Sequence, residues 1–186
     1  MRHSIRWVLL EGGDYPYGDT GKMMTVPTLW WSDTPITAGQ ISRAGSTTNA
    51  NIPVTHISLP EAVLIADGVG GRLPTSVEWE WMAAGKEKRL YPWGWEEWTV
   101  EKAALTSTTA GPCPVRRFPG GATPTGVFDV AGNVWEWTTT TLPNLGAYIR
   151  GGSYASPPLY ARTAFRNAAP IELRSRGIGF RIVRKP

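Results

Sequence analysis

The sequence predicts an α+β domain of short helices, small antiparallel sheets and much irregular loop. Three observations predict it: three separate helix-start signatures, apolar strand-like pieces only a few residues long, and 21 glycines and 16 prolines among 186 residues.

Taken in chain order, Arg6 to Leu10 is the first strand-like run. Thr37 precedes Gln40 by three positions, and Ser58 and Thr75 stand in the same relation to Glu61 and Glu78. In each pair the hydroxyl and the longer side chain can satisfy each other's backbone amide, which is a capping box. The second box leads into Ala62, Val63, Ile65 and Ala66 and predicts a helix ending near Gly68. The third runs through Trp79, Trp81, Met82 and Ala83 and predicts a stop at Gly85, a glycine cap. Ala147 to Arg150 and Ile178 to Val183 are the later strand-like pieces. No internal repeat or low-complexity linker interrupts the series, so residues 1–186 are expected to form one domain.

Composition bounds the function. With 41% hydrophobic and 18% charged residues the chain can bury its own core. No stretch approaches the roughly 20 apolar residues of a membrane helix, and Trp7 to Leu10 is too short for a signal-peptide core. Neither membrane insertion nor an address is predicted. A single cysteine, Cys113, excludes an internal disulfide, and His3 and His56 alone make no zinc set of ordinary spacing. The formal charge of +4 is local: residues 150–186 hold eight basic side chains against Glu172, whereas the rest holds 11 basic and 14 acidic. These arginines interleave with apolar residues and no nucleic-acid-binding motif accompanies them, so structural pairing is expected ahead of nucleic-acid contact.

Several blocks occur in series over nearly the whole chain. They are Pro35-Ile-Thr37, Pro53-Val-Thr-His-Ile-Ser58, Gly71-Arg-Leu-Pro-Thr75 with Val77-Glu-Trp-Glu-Trp81, Tyr91-Pro-Trp-Gly94, Gly126 to Trp137, Arg150-Gly-Gly-Ser153 and Gly179-Phe-Arg181. Together they resemble the formylglycine-generating-enzyme, or sulfatase-modifying-factor, family, which implies its C-type lectin fold. Read from the residues themselves, the blocks are architectural. Trp79, Trp81, Trp135 and Trp137 are expected in the core, with indole nitrogens bonded to nearby loop backbone. Arg72, Arg150 and Arg181 are expected to bridge loop carbonyls or to pair with Glu78, Glu80 or Glu136.

Asp129, Gly132, Val134 and Glu136 are the candidate metal set, two carboxylates and two backbone carbonyls suited to calcium. They resemble one of the family's structural calcium sites; the alternative is that Asp129 and Glu136 bond loop amides. The family's second site has no counterpart around Leu105 to Thr109. The family's oxidases use two cysteines after the Arg-Gly-Gly-Ser block, where this chain has Ser156 and Ala161. Neither can supply a thiolate to copper. The related iron-dependent sulfoxide synthases use a histidine-rich site from an additional domain, and a lectin's sugar-binding motif is absent from this sequence. The expectation is therefore a domain that is not an enzyme and needs no catalytic cofactor.

The C-terminal segment resembles the variable region of diversity-generating-retroelement proteins, which use the same fold for display. The resemblance implies a framework of Arg150-Gly-Gly-Ser153, Tyr154, Pro158, Arg162-Thr-Ala164, Arg166, Pro170, Arg174 and Ile178-Gly-Phe-Arg181. It leaves Ala155, Ser156, Pro157, Leu159, Tyr160, Phe165, Asn167, Ala168, Ala169, Leu173, Ser175, Arg176 and Gly177 as ligand-binding positions free to vary, with Ile171 as a further candidate. Adenine replacement at asparagine codons does not reach Met, Trp, Gln, Lys or Glu. None of the candidate positions holds one of these, and Glu172 is assigned to the framework. Tyr160 and Phe165 are expected as anchors whose joint loss weakens capture of a protein ligand while leaving stability nearly intact. The protein is expected to be a monomer. A catalytic relative of the family and a non-diversified binding module are the competing readings.

Overall fold

The computed structural model describes residues 4–42 and 49–186, so His3 lies outside the described residues. Its elements are short, as expected. β1 (Trp7–Leu10) pairs antiparallel with β4 (Leu29–Ser32), and β4 pairs in turn with β9 (Val183–Arg184), so the two ends of the chain share one sheet. β2 (Gly13–Tyr17) and β3 (Lys22–Val26) form a hairpin. A third sheet runs β7 (Asn167–Ala169), β6 (Gly146–Arg150), β5 (Trp135–Leu142), β8 (Ile178–Gly179), with β8 parallel to β5 and the other pairings antiparallel.

The helices start where their hydroxyl residues predict: α1 is Ala38–Ile41, α2 is Leu59–Gly68 and α3 is Ser76–Ala84. Gln40 Oε1 accepts from the Thr37 amide at 2.9 Å, Glu61 Oε2 from Ser58 at 2.9 Å and Glu78 Oε2 from Thr75 at 2.7 Å. Each reciprocal bond satisfies an amide that the first helical turn leaves open. α3 stops at Gly85, whose φ of +65° suits a residue without a Cβ. Eight of the nine residues of α3 are buried, because β2, β3, β5 and β6 all touch it.

Trp79, Trp81, Trp135 and Trp137 all lie in the core. Two of the four indoles find loop carbonyls as expected: Trp81 Nε1 donates to Glu11 O at 3.0 Å and Trp137 Nε1 to Ile57 O at 3.2 Å, whereas Trp79 takes a carboxylate. Each of the three arginines takes one of the three named glutamates. Arg72 pairs with Glu78, Arg150 with Glu80 and Arg181 with Glu136, and the last two pairs are wholly buried. Trp79 joins these two pairs. Its Nε1 donates to Glu136 Oε2 at 2.6 Å, while the Arg150 guanidinium sits 5.0 Å over its ring.

Two expectations are corrected. Ile178 to Val183 is not one strand: it is split into β8 and β9, which belong to different sheets. A strand between two layers would alternate its faces, but Phe180, Arg181 and Ile182 are all fully buried as the chain crosses from one sheet to the other. Asn167, Ala168 and Ala169 are not loop. They pair with Ile149, Tyr148 and Ala147 as an edge strand.

Removing one member of a buried ion pair strands the other charge. Glu136→Gln is expected to lower the unfolding free energy by about 3–5 kcal/mol, measured by urea denaturation. Glu87→Gln, at an exposed partner of Arg89, should leave the midpoint near that of the parent protein.

Candidate functional site

The segment from Arg150 to Arg181 is held from below by its backbone. Tyr154 N donates to Asn133 O at 3.0 Å, and the Tyr154 and Ser156 carbonyls accept from Ser107 N at 2.7 Å and Thr106 N at 3.0 Å. Thr106 and Ser107 carry positive φ values of 53° and 58°, a conformation that residues other than glycine rarely adopt, and both amides meet the segment. Further along, Ile171, Ser175 and Gly177 carbonyls accept from Leu59, His56 and Trp135. Every one of these anchors is a main-chain bond that survives a change of side chain; bonds from the Arg150, Ser156 and Thr163 side chains add to them.

On that path the candidate positions divide. Ala155, Pro157, Leu159, Asn167, Leu173 and Arg176 are exposed, and Tyr160, Phe165, Ala168, Ser175, Gly177 and Ile171 are half-buried. Framework residues Arg150, Ser153, Thr163, Phe180 and Arg181 are buried. The glycines draw the same line. A Cβ on Gly151 would stand 2.5 Å from Val130 O at a φ of +91°, and one on Gly179 would stand 2.7 Å from Val54 O. A Cβ on Gly177 would come no nearer than 3.5 Å to Ser153, so that position accepts a side chain.

Two candidates do not reach the surface. Ser156 is buried because its Oγ accepts from Ser153 N at 2.9 Å, and Ala169 is buried because β7 turns it toward the core beside Ala147. The aromatic anchors also differ from expectation. Tyr160 and Phe165 stack at 4.5 Å between centroids, and both lean on Trp135, at 6.0 and 6.4 Å. They present one face outward and serve the core with the other, so they are not free of a stability role.

The structure brings Ser156 and Ala161 together: Ser156 Cβ and Ala161 N both lie 3.5 Å from the Cβ position of Gly152. Cys113 lies apart, buried beside Asn133, and burial pushes its thiol up to about 11. Calcium needs open oxygens. Glu136 offers none: its Oε1 accepts from Arg181 Nη2 at 2.7 Å, and its Oε2 from Arg181 Nε at 2.7 Å as well as from Trp79. Asp129, with φ +53°, accepts the Arg116 amide at 2.7 Å. The Asp129, Gly132, Val134 and Glu136 set therefore does not fit calcium as it stands, and among the described residues no three His, Cys, Asp or Glu side chains converge. The reading in which Asp129 bonds a loop amide holds; Glu136 instead serves a guanidinium and an indole.

The model of the sulfatase-modifying factor enzyme 1-like domain matches residues 19–186. The chain belongs to this family. Among its relatives, the hercynine oxygenase of Mycobacterium tuberculosis is 37% identical over 74% of this chain and 42% of its own length. The formylglycine-generating enzyme of the same organism is 31% identical over 74% of this chain and 58% of its own. The chain thus spans about half the length of these curated relatives. Treponema denticola variable protein 1, at 17% identity, superposes with a TM-score of 0.81 over 100% of this chain and 99% of its own. The fold is the C-type lectin fold expected, shared by catalytic relatives and by a variable protein.

The expectation that the domain is not an enzyme is overturned by those relatives, which are named as enzymes at 31–37% identity. Its physical basis was too narrow. Ser156 and Ala161 exclude only chemistry that needs two thiolates at those positions, and a fold can carry other reactions on other residues. No helix among the described residues is long and apolar enough to cross a membrane.

The sequence reading did not single out Asp19, Lys88, Arg89 and Leu90, which line a cavity with Leu159, Arg162, Phe165 and Arg166. The basic run Lys86-Glu-Lys-Arg89 was the available signal, but its distance in sequence from the C-terminal arginines concealed the convergence.

Two measurements test this geometry. Burial, opposed by the Arg116 amide bond, pushes the Asp129 carboxyl up to about 6 from its ordinary 3.8. Between those values the folded state holds the extra proton, so this group's contribution to stability falls as pH rises from about 4 to 6. Asp129→Asn, which tolerates the same backbone, should remove that slope from the pH dependence of the urea midpoint. Replacing Tyr160 and Phe165 together with alanine is expected to cost about 1–3 kcal/mol, less than emptying a full core site, by the same denaturation.

Proposed function

We propose that this domain binds a ligand, a protein, on the face formed by Ala155, Pro157, Leu159, Tyr160, Phe165, Asn167, Ala168, Leu173, Ser175, Arg176 and Gly177, and that the face is exchanged by a retroelement. The observation that carries the reading is the separation of path from side chain. Main-chain bonds from Asn133, Thr106, Ser107, His56, Leu59 and Trp135 hold the segment, while six of the exchangeable positions are exposed and five more are half-buried. Exposed Leu159 and Leu173, with Tyr160 and Phe165 beside them, supply apolar contact, and Asn167, Ser175 and Arg176 supply hydrogen bonds. The present side chains suit a partly apolar partner surface met by a monomer.

DNA beside the gene decides the diversification claim. A reverse transcriptase and a near-copy of the segment carrying asparagine codons at these positions are expected; neither being present would falsify it. In the protein, changing Ala155, Pro157, Leu159, Leu173 and Arg176 together to serine should move the melting temperature by less than about 3 °C, because no buried contact is lost. A larger drop would show the face to be structural.

A second reading is favoured by the 37% identity to hercynine oxygenase: the domain takes part in an oxidation within a longer protein. Product formation from hercynine, or from a cysteine peptide supplied with copper and oxygen, would support that reading over the first.

A further inference from the structure

A cavity of about 430 Å³ opens beside the exchangeable face, walled by Lys88, Arg89, Arg162 and Arg166. Asp19 is the sole carboxylate in its lining, and it is 3.8 Å from Arg166 with a side chain that is 85% exposed. The other nearby carboxylates are engaged. Glu87 pairs with Arg89 from the solvent side, and Glu80 is buried beneath, bonded to Arg150, Tyr15 OH and the Gly18 amide.

The cations are held in place mainly by neutral groups. Lys88 Nζ donates to Gly18 O at 3.3 Å, and Arg89 donates through Nε to Pro92 O and through Nη2 to Ala83 O. Arg166 lies over the rings of Tyr17 and Tyr148. Arg162 is the exception: among the described residues its guanidinium forms no hydrogen bond or ion pair, and its Nε is shut off from solvent without a partner. Carbonyls and rings orient positive charge but do not neutralise it, so the cavity keeps an excess of cations in a partly desolvated recess. Leu90, Leu159 and Phe165 add an apolar wall.

We propose that this cavity binds an anionic group, a carboxylate or a phosphate, carried on an apolar body, with Arg162 as its principal partner. The planar guanidinium can take two oxygens side by side, and Lys88 and Arg166 add charge from the flanks. The proposal deepens the reading of the face and rests on it in one respect. The four cations stand outside the exchangeable positions, whereas Leu159 and Phe165 on the rim are among them. An anchor for negative charge would thus persist through every exchange while the rim selects the body attached to it.

The test is isothermal titration calorimetry of the full chain with phenylacetate and with phenyl phosphate. At least one probe should bind saturably and more weakly as salt is raised, and the stronger of the two tells carboxylate from phosphate. Arg162→Gln should lower that affinity at least tenfold with an unchanged melting temperature. Lys88→Gln provides the same readout if the first variant folds poorly. Failure of both probes to saturate, or parent-like affinity in the folded variants, would overturn the proposal. The two readings separate cleanly: Arg162-dependent probe binding without any template copy in the neighbouring DNA sinks the exchange and keeps the anion site, and the reverse pattern does the opposite.

Discussion

Trp79 stands between two ion pairs that water cannot reach, and the rest of the fold depends on that arrangement. Glu136 is bound by Arg181 and by the Trp79 indole, while Glu80 is bound by Arg150, whose guanidinium rests on the Trp79 ring. A buried charge without its partner is very costly, so the four charged groups and the indole must be assembled together or not at all. Both arginines belong to the C-terminal third, and the glutamates come from α3 and β5. Glu136 lies in that same third, so the network fastens the late segment to α3, far earlier in the chain, through Glu80 and Trp79. Arg181 also donates to carbonyls of Ser32, Phe128 and Asp129, which draws irregular backbone into the same knot.

That knot explains how a surface segment can be both well placed and chemically free. Residues 154–177 take much of their course from main-chain bonds to Asn133, Thr106, Ser107, His56, Leu59 and Trp135, bonds that do not need the side chains of the outer face. Where the chain presses close, as at Gly151 and Gly179, no side chain fits; where it does not, as at Gly177, one does. The inward turns of Ser156 and Ala169 show the limit of the scheme. A position can lie within the segment and still belong to the core. The cationic cavity continues the logic, since its four cations outnumber the carboxylates Asp19 and Glu87 beside them and its rim includes the exchangeable Leu159 and Phe165.

Much of this was legible in the sequence. The capping boxes marked all three helix starts, because a cap is a contact between residues three apart. That Arg72, Arg150 and Arg181 would bridge loop carbonyls or take Glu78, Glu80 or Glu136 was legible as a set of partners, because a guanidinium fork suits carboxylates and irregular backbone. Whether Glu136 would take Arg181 or a cation was not legible, because both readings use the same carboxylate and only the arriving Arg181 guanidinium occupies its oxygens. The exclusion of enzyme activity for this domain reached too far, because two absent thiols and an absent histidine-rich site rule out only the reactions that need them.

The sequence by itself determined the helix starts, the aromatic core and the family, since these rest on short-range spacing and on residue types with few alternative roles. Tertiary structure alone decided which glutamate each arginine took, where Ile178 to Val183 broke between sheets, and that Lys88 and Arg162 share a cavity. Arg72 and Glu78 stand only 6 positions apart, but Arg181 lies 45 positions from Glu136 and Arg150 lies 70 from Glu80, and no local pattern encodes the direction from which such a buried partner arrives.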